Sequence, residues 1–172
     1  VSPAEQGDDM SYFASRAHFK YYDRAYGFCV GLADAVSVLD VGCSEVPFVQ
    51  RLAWIPDKHC LDLTPVEFDG VTSHTGDFLT HEFGRTFDLV LCMQVLEHVT
   101  HPVTFAAKLF SLASKHVLIS VPYNWKRGLC KEHVHDPVDE AKLKLWTGRD
   151  PDHSEIVTDK GRKRLVCWYD KT

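Results

Sequence analysis

Residues 38–48 read VLDVGCSEVPF, and this stretch decides how the rest of the chain is read. It opens with an apolar run of the kind carried by a strand buried on both faces, closes that run around Asp40, and turns at Gly42 toward a segment with helical potential. A buried strand that ends on a carboxylate and a glycine turn is the pattern of a nucleotide-binding loop.

The elements on either side follow the same logic. Upstream, residues 11–30 place Tyr12, Phe19, Tyr22, Tyr26 and Cys29 on one helical stripe, with Gly27 as a candidate end or break. Downstream, residues 47–54 are expected to form a helix, with Pro47 in its first turn and Phe48, Leu52 and Ile55 facing a sheet. Further strands are expected at 59–63, 71–75, 87–93 and 116–123, with a helical turn at 95–99 and a helix at 102–113. Asp136 is expected to N-cap a helix that ends near Thr147 at Gly148. Residues 153–159 and 164–170 flank Lys160-Gly161-Arg162-Lys163 and read as an antiparallel hairpin. Strands alternating with helices over short connections argue for an α/β fold with a mostly parallel sheet.

Composition narrows the function classes. The 172 residues are 45% hydrophobic and 25% charged, enough for one domain with a sizeable core, expected over 11–172. Residues 1–10 are polar and patternless and are expected to be a disordered or expression-derived terminus. No apolar run approaches the roughly 20 residues that span a bilayer, and no signal-peptide layout precedes it, so a soluble, cytoplasmic protein is expected. The six cysteines never occur as C-x-x-C, which argues against structural zinc and a disulfide framework. Residues 1–114 carry 7 Lys+Arg against 15 Asp+Glu, and residues 115–172 carry 12 against 9. That balance excludes a nucleic-acid binder with a strong basic face, while the basic last third suits an anionic ligand.

With these pieces in place the chain resembles the class I S-adenosylmethionine-dependent methyltransferases, over about residues 11–169. VLDVGCSEVPF is similar to the family's first motif, Asp/Glu-x-Gly-x-Gly-x-Gly, with Asp40 and Gly42 in register and Ser44 and Val46 at the second and third glycines. CLDLTP resembles its second-strand acidic position and GDFLT its adenine-contacting turn. FDLVLCMQVLEHV and KEHVHDPVDEAKLKLW resemble segments of its small-molecule, type 11-like branch. The resemblance implies a Rossmann-like three-layer sandwich whose mostly parallel seven-stranded sheet ends in an antiparallel hairpin. It implies S-adenosylmethionine as cofactor, with S-adenosylhomocysteine as product. Its contacts would be Arg16 to the cofactor carboxylate, Gly42 and Ser44 along the first turn, and Asp77 with Phe78 at the adenine. Asp40 would organise the loop, and Leu63, Met93 and Gln94 would complete the walls.

Two roles also follow from the residues themselves. Asp62 ends its strand 22 residues after Asp40, a spacing that suits a carboxylate accepting both ribose hydroxyls. Methyl transfer to a hydroxyl needs alignment and a base near neutral pKa, and His98, His133 and His135 are the best placed of the ten histidines. Lys126, Arg127 and Lys131, with Tyr123 and Trp125, would face a phosphate or carboxylate on the acceptor. No metal is expected at HVHD, because Asp136 is assigned to the cap and no third, distant ligand stands out. The expected activity is O-methylation of a small molecule or glycan, with no nucleic-acid or membrane partner and with a homodimer as one way to complete the pocket. A nicotinamide-dependent oxidoreductase and a non-catalytic binding or regulatory module on the same fold stay open as alternatives.

Overall fold

The computed structural model describes residues 18–171; Tyr12, Arg16 and the first part of the expected N-terminal helix lie outside them. The chain runs α1 (Lys20–Cys29), β1 (Ser37–Val41), a 3-10 turn (Phe48–Arg51), β2 (Asp57–Asp62), β3 (Thr72–Thr75) and β4 (Phe87–Met93). It continues through α2 (Pro102–Leu112), β5 (Ala113–Pro122), α3 (Glu140–Thr147), β6 (His153–Asp159) and β7 (Arg162–Asp170). The strands form one sheet in the order β3-β2-β1-β4-β5-β7-β6. The first five pair in parallel, and β7 runs antiparallel between β5 and β6. An all-parallel dinucleotide-binding sheet has no such inserted strand, so the topology disfavours the oxidoreductase alternative.

Side-chain alternation explains the layers. All five residues of β1 are buried, as expected of a strand covered on both faces. Val38, Leu89, Leu91, Met93, Leu118, Val166 and Trp168 face one core with Tyr21, Tyr22, Ala25 and Cys29 of α1 and with Phe48 and Leu52. Leu39, Val41, Val90, Cys92, Val117, Ile119, Leu165 and Cys167 face the other, under Phe105 and Leu109 of α2 and Leu143 and Trp146 of α3. Phe87 joins the second core out of phase with Leu89 because the β4–β5 register shifts between these two residues.

Four expectations need correction. Residues 47–54 make only the 3-10 turn, since Pro56 follows too closely for another helical turn; Phe48, Val49, Leu52 and Ile55 are buried all the same. Gly27 lies inside α1 and does not break it. The hairpin loop is Lys160-Gly161 alone, both with positive φ (48° and 74°), so β7 begins at Arg162 and the twist of the turn matches the strands. Asp136 is not the N-cap of α3: that is Asp139, whose side chain accepts from the Lys142 N–H at 2.8 Å. Asp136 is instead buried and bonded to His133.

Candidate active site

The C-terminal ends of β1, β2 and β4 open into a row of cavities. This is the edge where the chain leaves β1 for one side of the sheet and enters β4 on the other, the place where open α/β sheets bind ligands. The first cavity has a volume of about 500 Å³ and is walled by Val41, Gly42, Leu61, Phe78, Val95 and Phe105, with Asp62, Asp77 and His98 among its polar groups. A narrow second cavity of about 90 Å³ continues past Gly42 to Tyr21, Tyr22, Asp40, Ser44 and Met93. A third, of about 1000 Å³, lies beyond Gln94 and is bordered by β7, the β6–β7 turn and the loop after β5. Gln94 lines all three, and His98 lines the first and third.

The first turn is held by its backbone. Gly42 has φ +76°, and a Cβ there would lie 2.4 Å from Val95 Cγ2, so the position needs glycine for conformation and for space. Its N–H donates to the Leu61 carbonyl at 2.8 Å, which ties the turn to the end of β2. Ser44 also takes a left-handed conformation, φ +49°, and its N–H donates to Asp62 Oδ2 at 2.7 Å. Asp62 Oδ1 accepts from the Thr64 N–H and hydroxyl, each at 3.1 Å. The Asp62 carboxylate therefore fixes two turns while lining the first cavity. Burial pushes the Asp40 carboxyl well above its ordinary value, and Cys60 and Asp62 add to the effect.

Gly76 (φ +143°) turns the chain after β3, and Asp77 accepts from the Leu79 N–H at 2.9 Å. Phe78 is buried with its ring 4.5 Å from that of Phe105, and both residues line the cavity. Leu63 is 74% exposed at the rim of the same cavity. Gln94 has φ +59°; its N–H donates to the Ser120 carbonyl at 2.8 Å and its side-chain Nε2 to Ser120 Oγ at 3.1 Å. Arg164 Nε donates to Gln94 Oε1 at 3.2 Å, so the amide is anchored from β5 and β7 together.

The third cavity is cationic and aromatic on one side. Arg164 is buried, with Cζ 4.7 Å from the Phe19 ring centre and 5.3 Å from that of Trp125, and Arg162 Cζ lies 5.0 Å over Trp125. Asp159 stands 3.7 Å from Arg164 and accepts from the Lys20 and Tyr21 N–H groups at 2.7 and 3.3 Å, fixing the start of α1 against the hairpin. The ring of His133 stacks on that of Trp125, 5.5 Å between centres, and meets the ring of His98 edge to face at 4.6 Å. His98 Nδ1 bonds the Glu132 carbonyl at 3.1 Å and His133 Nδ1 bonds Asp136 Oδ2 at 2.9 Å. Both partners are acceptors, so each ring donates from Nδ1, and its neutral form presents an Nε2 lone pair. Burial and the neighbouring His133 hold the His98 pKa below the ordinary histidine value.

No family model matches the chain, and no curated protein sequence matches it. Solved structures do. The chain is similar to the N-methyltransferase NodS from Bradyrhizobium japonicum WM9 in complex with S-adenosylhomocysteine, at 14% identity and TM-score 0.74, over 95% of this chain and 89% of that one. It is similar to 1,6-didemethyltoxoflavin-N1-methyltransferase from Burkholderia thailandensis, at 17% identity and TM-score 0.75, over 92% and 81%. It is also similar to magnesium protoporphyrin IX methyltransferase from Synechocystis PCC 6803, at 16% identity and TM-score 0.69, over 96% and 90%. The chain has the class I methyltransferase fold. At these identities the likeness is one of fold.

Within the methyltransferase fold, most of the residues expected from sequence converge. Gly42, Asp62, Leu63, Asp77, Phe78 and Gln94 line the first cavity, and Asp40, Ser44 and Met93 the second. Arg16 lies outside the described residues. His98 and His133 meet at the third cavity, but His135 is drawn off: its Nε2 bonds the Val99 carbonyl at 2.8 Å and its ring packs on Trp146. Of the expected basic loop residues, Lys131 lines this cavity and Lys126 and Arg127 do not. The cations that do, Arg162, Arg164 and Lys160, stand on the hairpin, which sequence presents as a turn and an apolar strand. Arg164 directly precedes the continuous apolar run 165–169, and a charge abutting a strand buried on both faces was the available signal.

Proposed function

We propose that this chain is an S-adenosylmethionine-dependent methyltransferase that methylates an oxygen of a small, anionic acceptor. The observation that carries this is the row of three cavities meeting at Gln94 over the β1/β4 edge. The first has the size and apolar walls of a ligand pocket, about 300–1000 Å³, with the carboxylates of Asp62 and Asp77 beside it for a nucleoside's hydroxyl and amino donors. The second, where Gly42 lets the backbone come close, suits the narrow amino-acid part of the cofactor. When bound there, the cofactor supplies an electrophilic methyl group to a nucleophile on the far side of Gln94.

The third cavity suits the acceptor. Arg162, Arg164 and Lys160 attract an anionic group, and the Phe19 and Trp125 rings against which they pack hold these cations at the cavity wall. His98 and His133 border the same cavity with each Nδ1 held by an oxygen acceptor, and their Nε2 atoms handle the proton of an acceptor hydroxyl. A fully basic, nucleic-acid-sized groove is not what these residues build, since Asp159, Glu97 and Glu132 also border the cavity.

Calorimetric titration of S-adenosylmethionine and S-adenosylhomocysteine into the 172-residue chain tests the cofactor assignment; absence of binding by the folded protein refutes it. Asp62→Ala is expected to weaken binding by at least about tenfold, through the lost acceptor and the loosened Ser44 turn. His133→Ala is expected to keep cofactor affinity and lower turnover of an anionic hydroxyl acceptor by about 100-fold or more. If that variant turns over normally, the acceptor-side assignment fails and the cofactor assignment stands.

A further inference from the structure

The two histidines have a third companion that the hydroxyl-acceptor scheme does not use. Glu97 is wholly buried directly before His98, and Glu97 Oε1 lies 3.8 Å from His98 Nε2. Among the described residues, Glu97, His98 and His133 form the one group whose carboxylate and imidazole ligand atoms all lie within 4.8 Å of one another. The turn 95–98, closed by the His98 N–H to the Val95 carbonyl at 2.9 Å, supplies two members. The loop after β5 supplies the third and is pinned to the turn by the Val134 N–H, which donates to the Glu97 carbonyl at 3.0 Å. This is the distant ligand that the sequence HVHD alone does not reveal.

A second observation points the same way. Each imidazole has its outer nitrogen held as metal-bound histidines have theirs: His98 Nδ1 by a backbone carbonyl, His133 Nδ1 by a carboxylate. That carboxylate, Asp136, is itself buried, and its other oxygen, Oδ1, has no hydrogen-bond partner among the described residues. Two imidazole Nε2 atoms and a carboxylate converging in front of the buried Asp136 side chain form a donor set chemically complementary to a dication.

We infer that Glu97, His98 and His133 bind a divalent first-row transition cation at the wall between the first and third cavities. The nitrogen donors favour zinc, cobalt, nickel or iron(II) over magnesium or calcium, which take oxygen ligands. Ligands about 2.1 Å from a common ion stand about 3.0–3.4 Å apart, so the group closes further on binding, and the partly exposed His98 has room to move. Three protein ligands leave positions open toward the third cavity. An acceptor oxygen bound there is acidified by the cation, which with the ion in place takes over the proton-handling role from the two imidazoles that ligate it. That role rests on the methyl-transfer proposal above, whereas cation binding itself does not.

Binding is tested on the chelator-treated 172-residue chain, with Co²⁺ followed by visible absorption and Zn²⁺ by competition. The expected result is saturable one-to-one binding with a ligand-field band, unaffected by excess Mg²⁺. His98→Ala, at a partly exposed site where folding is not at stake, is expected to lower Co²⁺ affinity at least about tenfold, and Asp136→Asn by about 10–100-fold. No saturable Co²⁺ or Zn²⁺ binding by the folded chain overturns the inference, as does Co²⁺ binding that survives His98→Ala combined with His133→Ala. Cofactor calorimetry on the same metal-free sample separates failure of this site from failure of the methyltransferase proposal.

Discussion

Replacing Gly42 by alanine tests the geometry of the first turn. The backbone there has φ +76°, a conformation that costs an L-residue about 1–2 kcal/mol. The new Cβ would sit 2.4 Å from Val95 Cγ2 and 3.4 Å from Cγ1. Relaxed carbon contacts lie at about 3.5–4.0 Å, so Val95 has to move by more than about 1 Å, and overpacking of this kind costs about 1–3 kcal/mol. The stiffer unfolded chain gives back about 0.4–1 kcal/mol. The net loss is about 3 kcal/mol, which for a domain of this size lowers Tm by about 6–12 °C. Urea unfolding of Gly42→Ala and of Gly42→Ala with Val95→Ala separates the two causes, because removing the valine methyls relieves the clash and leaves the backbone cost. Gly42 and Val95 share the wall of the first cavity, so S-adenosylhomocysteine affinity should fall in the single variant as well. A Gly42→Ala protein within about 0.5 kcal/mol of the parent, with unchanged affinity, would refute this account of the turn.

Ser44→Gly is the converse case: φ +49° favours glycine, the N–H to Asp62 is retained, and the variant should be neutral to about 1 kcal/mol more stable by urea midpoint. Asp159→Ala removes the acceptor of two N–H groups at the start of α1 and the ion partner of Arg164, and should cost about 2–3 kcal/mol, read by urea unfolding with amide exchange faster at Lys20 and Tyr21. His74 binds its proton more weakly in the fold than in the unfolded chain, because burial first, and then His59 and His81, disfavour its charge. Stability contributed at this site is therefore complete above the ordinary value of 6.5 and falls as pH drops through it; proton NMR should give a His74 midpoint below 6.5, and His74→Phe should flatten that part of the stability profile.

Much of the fold was legible because it rests on local patterns. The run through β1 to Asp40, the β4 run to Met93 and the Pro102 helix start each carry their signal within a few residues. What local pattern misjudged were competitions settled at a distance. The apolar residues after Pro47 suggested a helix, but Leu52 and Ile55 find their places in the core without one. Asp136 has the chemistry of a cap, and the fold takes its carboxylate for His133 and leaves the cap to Asp139.

The candidate site divides along the same line. Gly42, Asp62, Asp77 and Gln94 could be named from sequence because each ends or follows a strand, and a parallel sheet brings all such ends to one edge. Sequence by itself thus determined the parallel part of the sheet, the edge where the cavities open and the residues of the first turn. Only tertiary structure decided the other side: that β7 inserts antiparallel and carries Arg164 to Gln94, that His135 turns away to Val99, and that Glu97 and His98 meet His133 across the loop after β5. The physical reason is range. Strand and turn signals are written in neighbouring residues, whereas the third cavity is built from contacts between segments 30 to 70 residues apart, whose pairing exists only once the sheet has formed.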